Sequence, residues 1–235
     1  RTFGDILHHA MCELYKKSEG KRIDSGLFKQ YIEHPEGEVT KAILEGFQKI
    51  MKIDHVEGYN LLISRILVQY VVETLRHDSK LGPFEYLTGE GKQKFLYRVN
   101  KDLQVRVTCI FDRIDRLVTD SQALRIVDYK TGNSQKGGKL QFPDIEQLFL
   151  PDGKGSSEAF QVMLYSLMLH LADISELKKL KIDFKPERIV PHLYFVRDFN
   201  ASTKLETGLS VGSNKSKLPI TDFAPYAAEF DEQLR

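Results

Sequence analysis

Two short stretches carry acids where an apolar strand has little structural use for them. The stretch "RIVDYKTG" (125–132) reads as a buried strand running into a turn, with Asp128 and Lys130 on alternate residues. A second strand, "QVRVTCIFDRIDRLV" (104–118), carries Asp112, and a turn at Thr119–Ser121 joins the two. A loop over Thr119, Asp120 and Ser121 sets Val118 opposite Gln122, Arg116 opposite Leu124, Ile114 opposite Ile126 and Asp112 opposite Asp128. Slipping the pairing by one residue puts Asp112 opposite Tyr129 and sends every side chain to the wrong face. Alternation along the strand places Lys130 on the same face as Asp128, above an Ile114/Ile126 floor. Carboxylates opposed in this way sit with Cβ atoms about 4.5–5.5 Å apart and repel unless a positive group lies between them. Two chemistries answer that demand. One is a lysine-bridged ion-pair ladder at a sheet edge. The other is a hard divalent cation with oxygen ligands, such as Mg²⁺.

The elements that must position these residues follow from periodicity. Thr2–Lys17 predicts a helix with Phe3, Leu7, Ala10, Met11 and Leu14 on one face and Ile6 at its edge. His8 flanks that face on a helical wheel and His9 points nearly opposite it. Two more helices are expected near Gly26–Glu33 and Glu38–Lys52, broken apart by Pro35–Glu38, and a long one over "GYNLLISRILVQYVVETLRHDSK". "KFLYRV" joins the two acid-bearing strands in an antiparallel meander. A glycine-containing polar loop follows, interrupted by the apolar "IEQLFL". The helix "EAFQVMLYSLMLHLADI" is apolar nearly all round and predicts burial. "RIVPHLYFV" is a further strand, "KLETGLSVGSNKSKLP" a loop with room for short strands, and "DFAPYAAEFDEQLR" a last helix cut by the chain's end. The expectation is one α/β domain over 1–235 with a mixed sheet: a mainly helical part over 1–80, then a sheet core with its helices over 81–235.

Composition narrows the function classes. The chain has 235 residues, 41% hydrophobic and 29% charged, as ordinary globular domains do. Its 34 Lys and Arg against 33 Asp and Glu give a net charge of +1, so any nucleic-acid contact must come from a local patch. Cys12 and Cys109 are too few for a disulfide framework or a four-thiolate metal site, which favours a reducing, cytoplasmic setting. No apolar run reaches the roughly 18 residues of a membrane span. "GKGSS" lacks the spacing of a nucleotide-binding P-loop. The absent initiator Met and the cut last helix predict a piece of a longer protein.

Four segments, in order, resemble the PD-(D/E)XK nuclease superfamily and within it the RecB/AddB-like nuclease domains. "FGDILHHAM" is similar to the family's first-motif helix, where a Gly precedes the metal-binding His by four residues, here His8. "CIFDRID" resembles the strand whose first Asp binds metal, Asp112, with Cys109 where the family usually has Gly. "VDYKTG" resembles the strand carrying the second acid and the catalytic lysine, Asp128 and Lys130; "FQVMLYS" resembles the helix with the Gln-x-x-x-Tyr pair, Gln161 and Tyr165. The resemblance implies a restriction-endonuclease-like fold and hydrolysis of DNA phosphodiesters with Mg²⁺ or Mn²⁺. It implies metal ligation by His8, Asp112, Asp128 and the carbonyl of Tyr129, and water orientation by Lys130. Gln161 and Tyr165 would position the strand or the site's side chains. A glutamate ahead of the Asp112 strand is a further family ligand; Glu90 is the candidate and Glu85 its rival. Lys136, Lys139 and Lys154 in the polar loop are candidate phosphate contacts, against a merely solvated loop. No iron–sulfur cluster is expected within this chain, since its two cysteines do not match the arrangement of the AddB-like proteins that carry one. The implied partners are single-stranded DNA and a helicase domain or subunit, and no membrane. Two alternatives remain: a stand-alone RecB-like nuclease of the CRISPR-associated type, and a non-catalytic DNA- or partner-binding module of the same fold.

Overall fold

A computed structural model describes residues 2–132, 140–151, 156–199, 207–213 and 216–235. The candidate contacts Lys136, Lys139 and Lys154 lie outside the described residues.

Helices dominate the first third: α1 (Thr2–Lys16), α2 (Lys29–Glu33), α3 (Glu38–Gly46), which runs into a π turn over Phe47–Met51, and α4 (Gly58–Lys80). Strand β1 (Arg22–Ile23) separates α1 from α2. The strands β2 (Phe84–Thr88), β3 (Gly91–Arg98), β4 (Gln104–Phe111), β5 (Arg113–Leu117) and β6 (Ala123–Lys130) follow. Next come β7 (Gln141–Phe142), α5 (Ser157–Leu171), α6 (Ile174–Lys179), β8 (Arg188–Phe195), the short β9 (Ser210–Val211) and β10 (Leu218–Pro219), and α7 (Ala227–Leu234). The central sheet has five strands in the order β1-β2-β5-β6-β8, antiparallel except that β6 and β8 run parallel, as a mixed α/β architecture requires.

Each face of this sheet buries a separate apolar layer. Ile114, Leu124 and Ile126 face α5 through Ala159, Val162 and Met163. Val127, Tyr129 and Tyr194 face α1 and α4 through Ile6, Leu7, Val71 and Leu75. Successive side chains of β6 therefore divide between the two layers, and seven of its eight residues are buried.

Three expectations are corrected. The run 104–118 is not one strand: it breaks at Asp112, with β4 paired to β3 in a separate two-stranded ribbon and β5 built into the central sheet. The connection from β5 to β6 is a 3₁₀ turn over Val118–Asp120 followed by Ser121 and Gln122, so the expected pairs Val118–Gln122 and Arg116–Leu124 are not part of the ladder; nor is Asp112–Asp128, because the ladder begins at Arg113–Val127 and Asp112 lies in the break. Arg116 instead pairs with Glu85 on β2. The predicted register nevertheless holds where the ladder forms, with Ile114 opposite Ile126. His9, placed opposite the apolar face of α1, is buried, because α1 is enclosed on two sides, by the sheet and by α3. Gly46 makes that second contact close enough for a Cβ to fall 2.9 Å from Ile6 Cγ2 and 3.4 Å from His9 Cδ2.

Candidate active site

The site lies at the C-terminal end of β6, where α1, the β4–β5 break and α5 converge. The break itself is the first device. Asp112, the single residue between β4 and β5, turns its Oδ2 back to accept the Tyr129 N–H at 2.8 Å. Its carboxylate thus stands in for the backbone partner that the departing strand no longer supplies to β6. Next to the break, Gly89 packs so closely that a Cβ there would meet the Tyr86 hydroxyl and lie 2.6 Å from the Asp112 carbonyl oxygen.

His8 closes the other side. Its Nε2 lies 2.9 Å from the Tyr129 carbonyl oxygen and its Nδ1 3.4 Å from Asp112 Oδ1. One imidazole therefore touches two of the oxygens assigned to the metal. Burial pushes the Asp112 carboxyl up to about 7; the Asp128 charge adds to the rise, while His8 opposes it. Burial also pushes Asp128 up, by more than the Lys130 ammonium pulls it down.

Lys130 holds the opposite half together. Its Nζ lies 2.6 Å from Asp128 Oδ2 and donates to Gln161 Oε1 at 2.9 Å. Gln161 Nε2 in turn donates to the Tyr165 hydroxyl at 3.0 Å, and that hydroxyl accepts from the Ile110 N–H at 3.4 Å. The i, i+4 spacing of Gln161 and Tyr165 on α5 lets one helix edge link the end of β6 to β4. The Lys130–Asp128 contact is an ion pair without hydrogen-bond alignment, so the buried Asp128 Oδ2 has no aligned donor.

These donors fit a hard divalent cation. Burial raises the proton affinity of both carboxyls, the Asp128 charge raises Asp112 further, and Asp128 Oδ2 is poorly satisfied; a cation with oxygen ligands relieves all three conditions. His8, Asp112, Asp128 and the Tyr129 carbonyl are the groups that would hold it. Among the described residues no group of three or more His, Cys, Asp or Glu side chains is gathered tightly enough to hold a metal as it stands. Asp128 engages Lys130, and the backbone carbonyl supplies the third contact around His8.

Glu90 lines a recess of about 350 Å³ together with His8, His9, Lys49, Lys92 and Asp112. Its φ of 47° puts a non-glycine residue in the left-handed region at the rim of the site, where such backbone strain recurs in proteins. Glu85 instead pairs with Arg116 at 2.8 Å, three pairs along β2–β5 from the break.

Beneath the site lies a group of residues that the sequence reading passed over. Arg113, adjacent to Asp112, is fully buried and donates to Asp78 at 2.6 and 3.1 Å and to the Tyr129 hydroxyl at 3.0 Å. Tyr15 and Tyr194 also donate to Asp78. Arg125 grips Asp115 through two bonds of 2.6 and 3.0 Å, and Arg113 Nε lies 2.8 Å from the same carboxylate. Burial alone would raise Asp78, but the Arg113 guanidinium, with the Tyr15 hydroxyl and Arg125, outweighs it and holds the carboxyl below its usual range. Arg113 thus anchors the ring of Tyr129, the residue whose backbone bonds to both His8 and Asp112. In sequence, alternation around "DRID" carries a signal for Arg113 and Asp115 sharing the face opposite Ile114, but nothing local marks Asp78 as their partner.

The family model of the PD-(D/E)XK nuclease superfamily matches residues 1–230. No curated protein and no solved structure matches the chain significantly. The match spans α1 with His8, the break at Asp112, the end of β6 and helix α5, so the assembled acids and lysine lie within it throughout: the chain belongs to the PD-(D/E)XK nuclease superfamily.

Proposed function

We propose that this chain is an Mg²⁺- or Mn²⁺-dependent deoxyribonuclease, an exonuclease domain of the RecB/AddB-like kind that acts on single-stranded DNA within a recombination-repair helicase–nuclease. The observation that carries the reading is the convergence of His8, Asp112 and the Tyr129 carbonyl with the Asp128–Lys130–Gln161 chain at one strand end. The RecB/AddB-like assignment rests on the four ordered motifs, from the His8 helix to Gln161 and Tyr165.

A bound divalent ion supplies Lewis-acid polarisation of the phosphate and a lowered pKa for the attacking water. The chain's own groups do the rest. His8, Asp112 and Asp128 would hold the ion, and Glu90 would join them from the rim. Lys130, fixed by Gln161 and Asp128, presents an ammonium that orients the water and offsets charge on the phosphoryl oxygens in the transition state. Gln161 and Tyr165 keep that ammonium from swinging into solvent, which makes them positioning residues. Arg113 fixes Tyr129, and through it the carbonyl beside His8.

The test is degradation of a labelled single-stranded DNA by the wild type with Mg²⁺ or Mn²⁺ and by Lys130→Ala and Asp128→Ala. Metal-dependent cleavage that falls by about 10²–10³-fold or more in both variants is expected, the size typical of losing a charge-stabilising group. Full activity in both variants contradicts the site assignment. No cleavage by the wild type with any divalent metal removes the nuclease reading for this chain.

A further inference from the structure

We propose that the solvent face of the β3–β4 ribbon is the track that carries the phosphate backbone of the substrate strand to the His8–Asp112 recess. The inference rests on the nuclease reading above and adds a surface to it. The ribbon's register pairs Lys92 with Ile110, Lys94 with Thr108, Leu96 with Arg106 and Arg98 with Gln104. All eight of these side chains are exposed. Their neighbours Phe95, Tyr97, Cys109 and Phe111 point the other way into the core against α5 and α7. The division fixes one face carrying Lys92, Lys94, Arg98 and Arg106.

Three features set this face apart. Neither strand contains an Asp or Glu, and among the described residues none of the four cations has an ion-pair partner. In a chain of net charge +1, such a run of unopposed cations on one side of a ribbon is a concentrated positive stripe. Leu96 is 64% exposed and Ile110 49% exposed on the same face, giving bases and sugars apolar contact between the cations. The stripe is also continuous with the site. Lys92 and Ile110, paired at the ribbon's root, line the recess that holds His8 and Asp112, and β4 runs directly into Asp112. From Lys92 to Arg98 the ribbon extends about 20 Å at ~3.3 Å per residue, long enough for several nucleotides. An acidic protein surface has the same charge, but a polyanion with regularly spaced charges fits a linear stripe that ends at a phosphodiesterase site.

The experiment measures binding, apart from cleavage. Anisotropy of a labelled single-stranded oligonucleotide in EDTA is titrated with the full chain and with Lys94→Ala/Arg98→Ala/Arg106→Ala. A second variant with Gln at the same positions keeps the aliphatic stems. Each phosphate contact contributes about 0.7 to the slope of log K against log salt for a single strand, so losing three lowers the slope by about 2 and weakens binding by about tenfold or more at low salt. A control removes three exposed cations near the start of β2, Lys21→Ala/Arg22→Ala/Lys80→Ala, at the end of the central sheet away from Asp112. It should bind as the wild type does. Wild-type affinity and salt slope in both ribbon variants overturns the inference, as does an equal loss in the control or no binding by the wild type. The two readings fail separately. Binding through the ribbon without metal-dependent cleavage leaves the track and removes the nuclease. Cleavage by the wild type with unaltered binding by the ribbon variants does the reverse.

Discussion

His8 and Asp112 meet through atoms that both carry lone pairs unless a proton or a cation stands between them. His8 Nε2 faces a carbonyl oxygen at 2.9 Å, so it carries the hydrogen, and Nδ1 is left facing the carboxylate at 3.4 Å. Burial and the Asp128 charge push the Asp112 carboxyl up to about 7, against the pull of His8. A carboxyl whose folded pKa exceeds its unfolded value contributes stability that is fully present below about pH 4 and lost as pH rises through about 7. In EDTA the melting temperature should therefore fall between pH 6 and 8. Added Mn²⁺ should raise it more at pH 8 than at pH 6, because the cation binds the ionised form. Thermal melts of the wild type and of Asp112→Asn check this: the variant should lose much of the metal-free slope and most of the Mn²⁺ effect, and an unaltered slope would count against the arrangement.

At the scale of elements, the break between β4 and β5 makes the site. It frees the Asp112 carboxylate to bond to Tyr129 and sends β3–β4 off as a separate ribbon. Gly89→Ala tests it, because the added Cβ falls 2.6 Å from the Asp112 carbonyl oxygen and backbone must move. Overpacking of this kind costs about 1–3 kcal/mol, and here the displacement reaches a site residue. Urea unfolding should show that loss, and nuclease turnover should fall further than stability alone explains; an unperturbed variant would mean the break is not tightly held. The break was illegible in sequence because alternation runs unbroken through "VTCIFDRID", and strand period carries no mark of which sheet a residue joins. The register beyond it was legible, since Ile114 and Ile126 are the residues that must share one buried face. So were α1, α4, α5, β6 and β8, whose apolar periods match the surfaces they bury. Helix α6 went unread although Asp173 and Glu176 form a capping box, a signal that local sequence does carry.

Across the molecule, the two apolar layers flank a sheet whose α1–α4 side also buries two acids and two arginines. Asp78, Arg113, Asp115 and Arg125 balance in charge, with Tyr15, Tyr129 and Tyr194 completing their hydrogen bonds. Asp78 comes from the end of α4 and the rest from β5 and β6, so the network ties the helical third to the sheet. Sequence could not reveal it, because charged residues on a helix and on a strand ordinarily read as solvated. Removing one partner leaves an unpaired buried charge, and Asp78→Ala should cost about 3–5 kcal/mol in urea unfolding; a loss below about 1 kcal/mol would show the network to be dispensable. That scaffold underlies the proposed site, in which His8, Asp112, the Tyr129 carbonyl and Asp128 would hold a divalent ion. Crystals of the full chain grown with Mn²⁺ test it most directly. An anomalous peak is expected at the end of β6 within ligating distance of His8, Asp112 and Asp128, with Lys130 beside it. A peak elsewhere, or none at this strand end with the metal bound in solution, would contradict it.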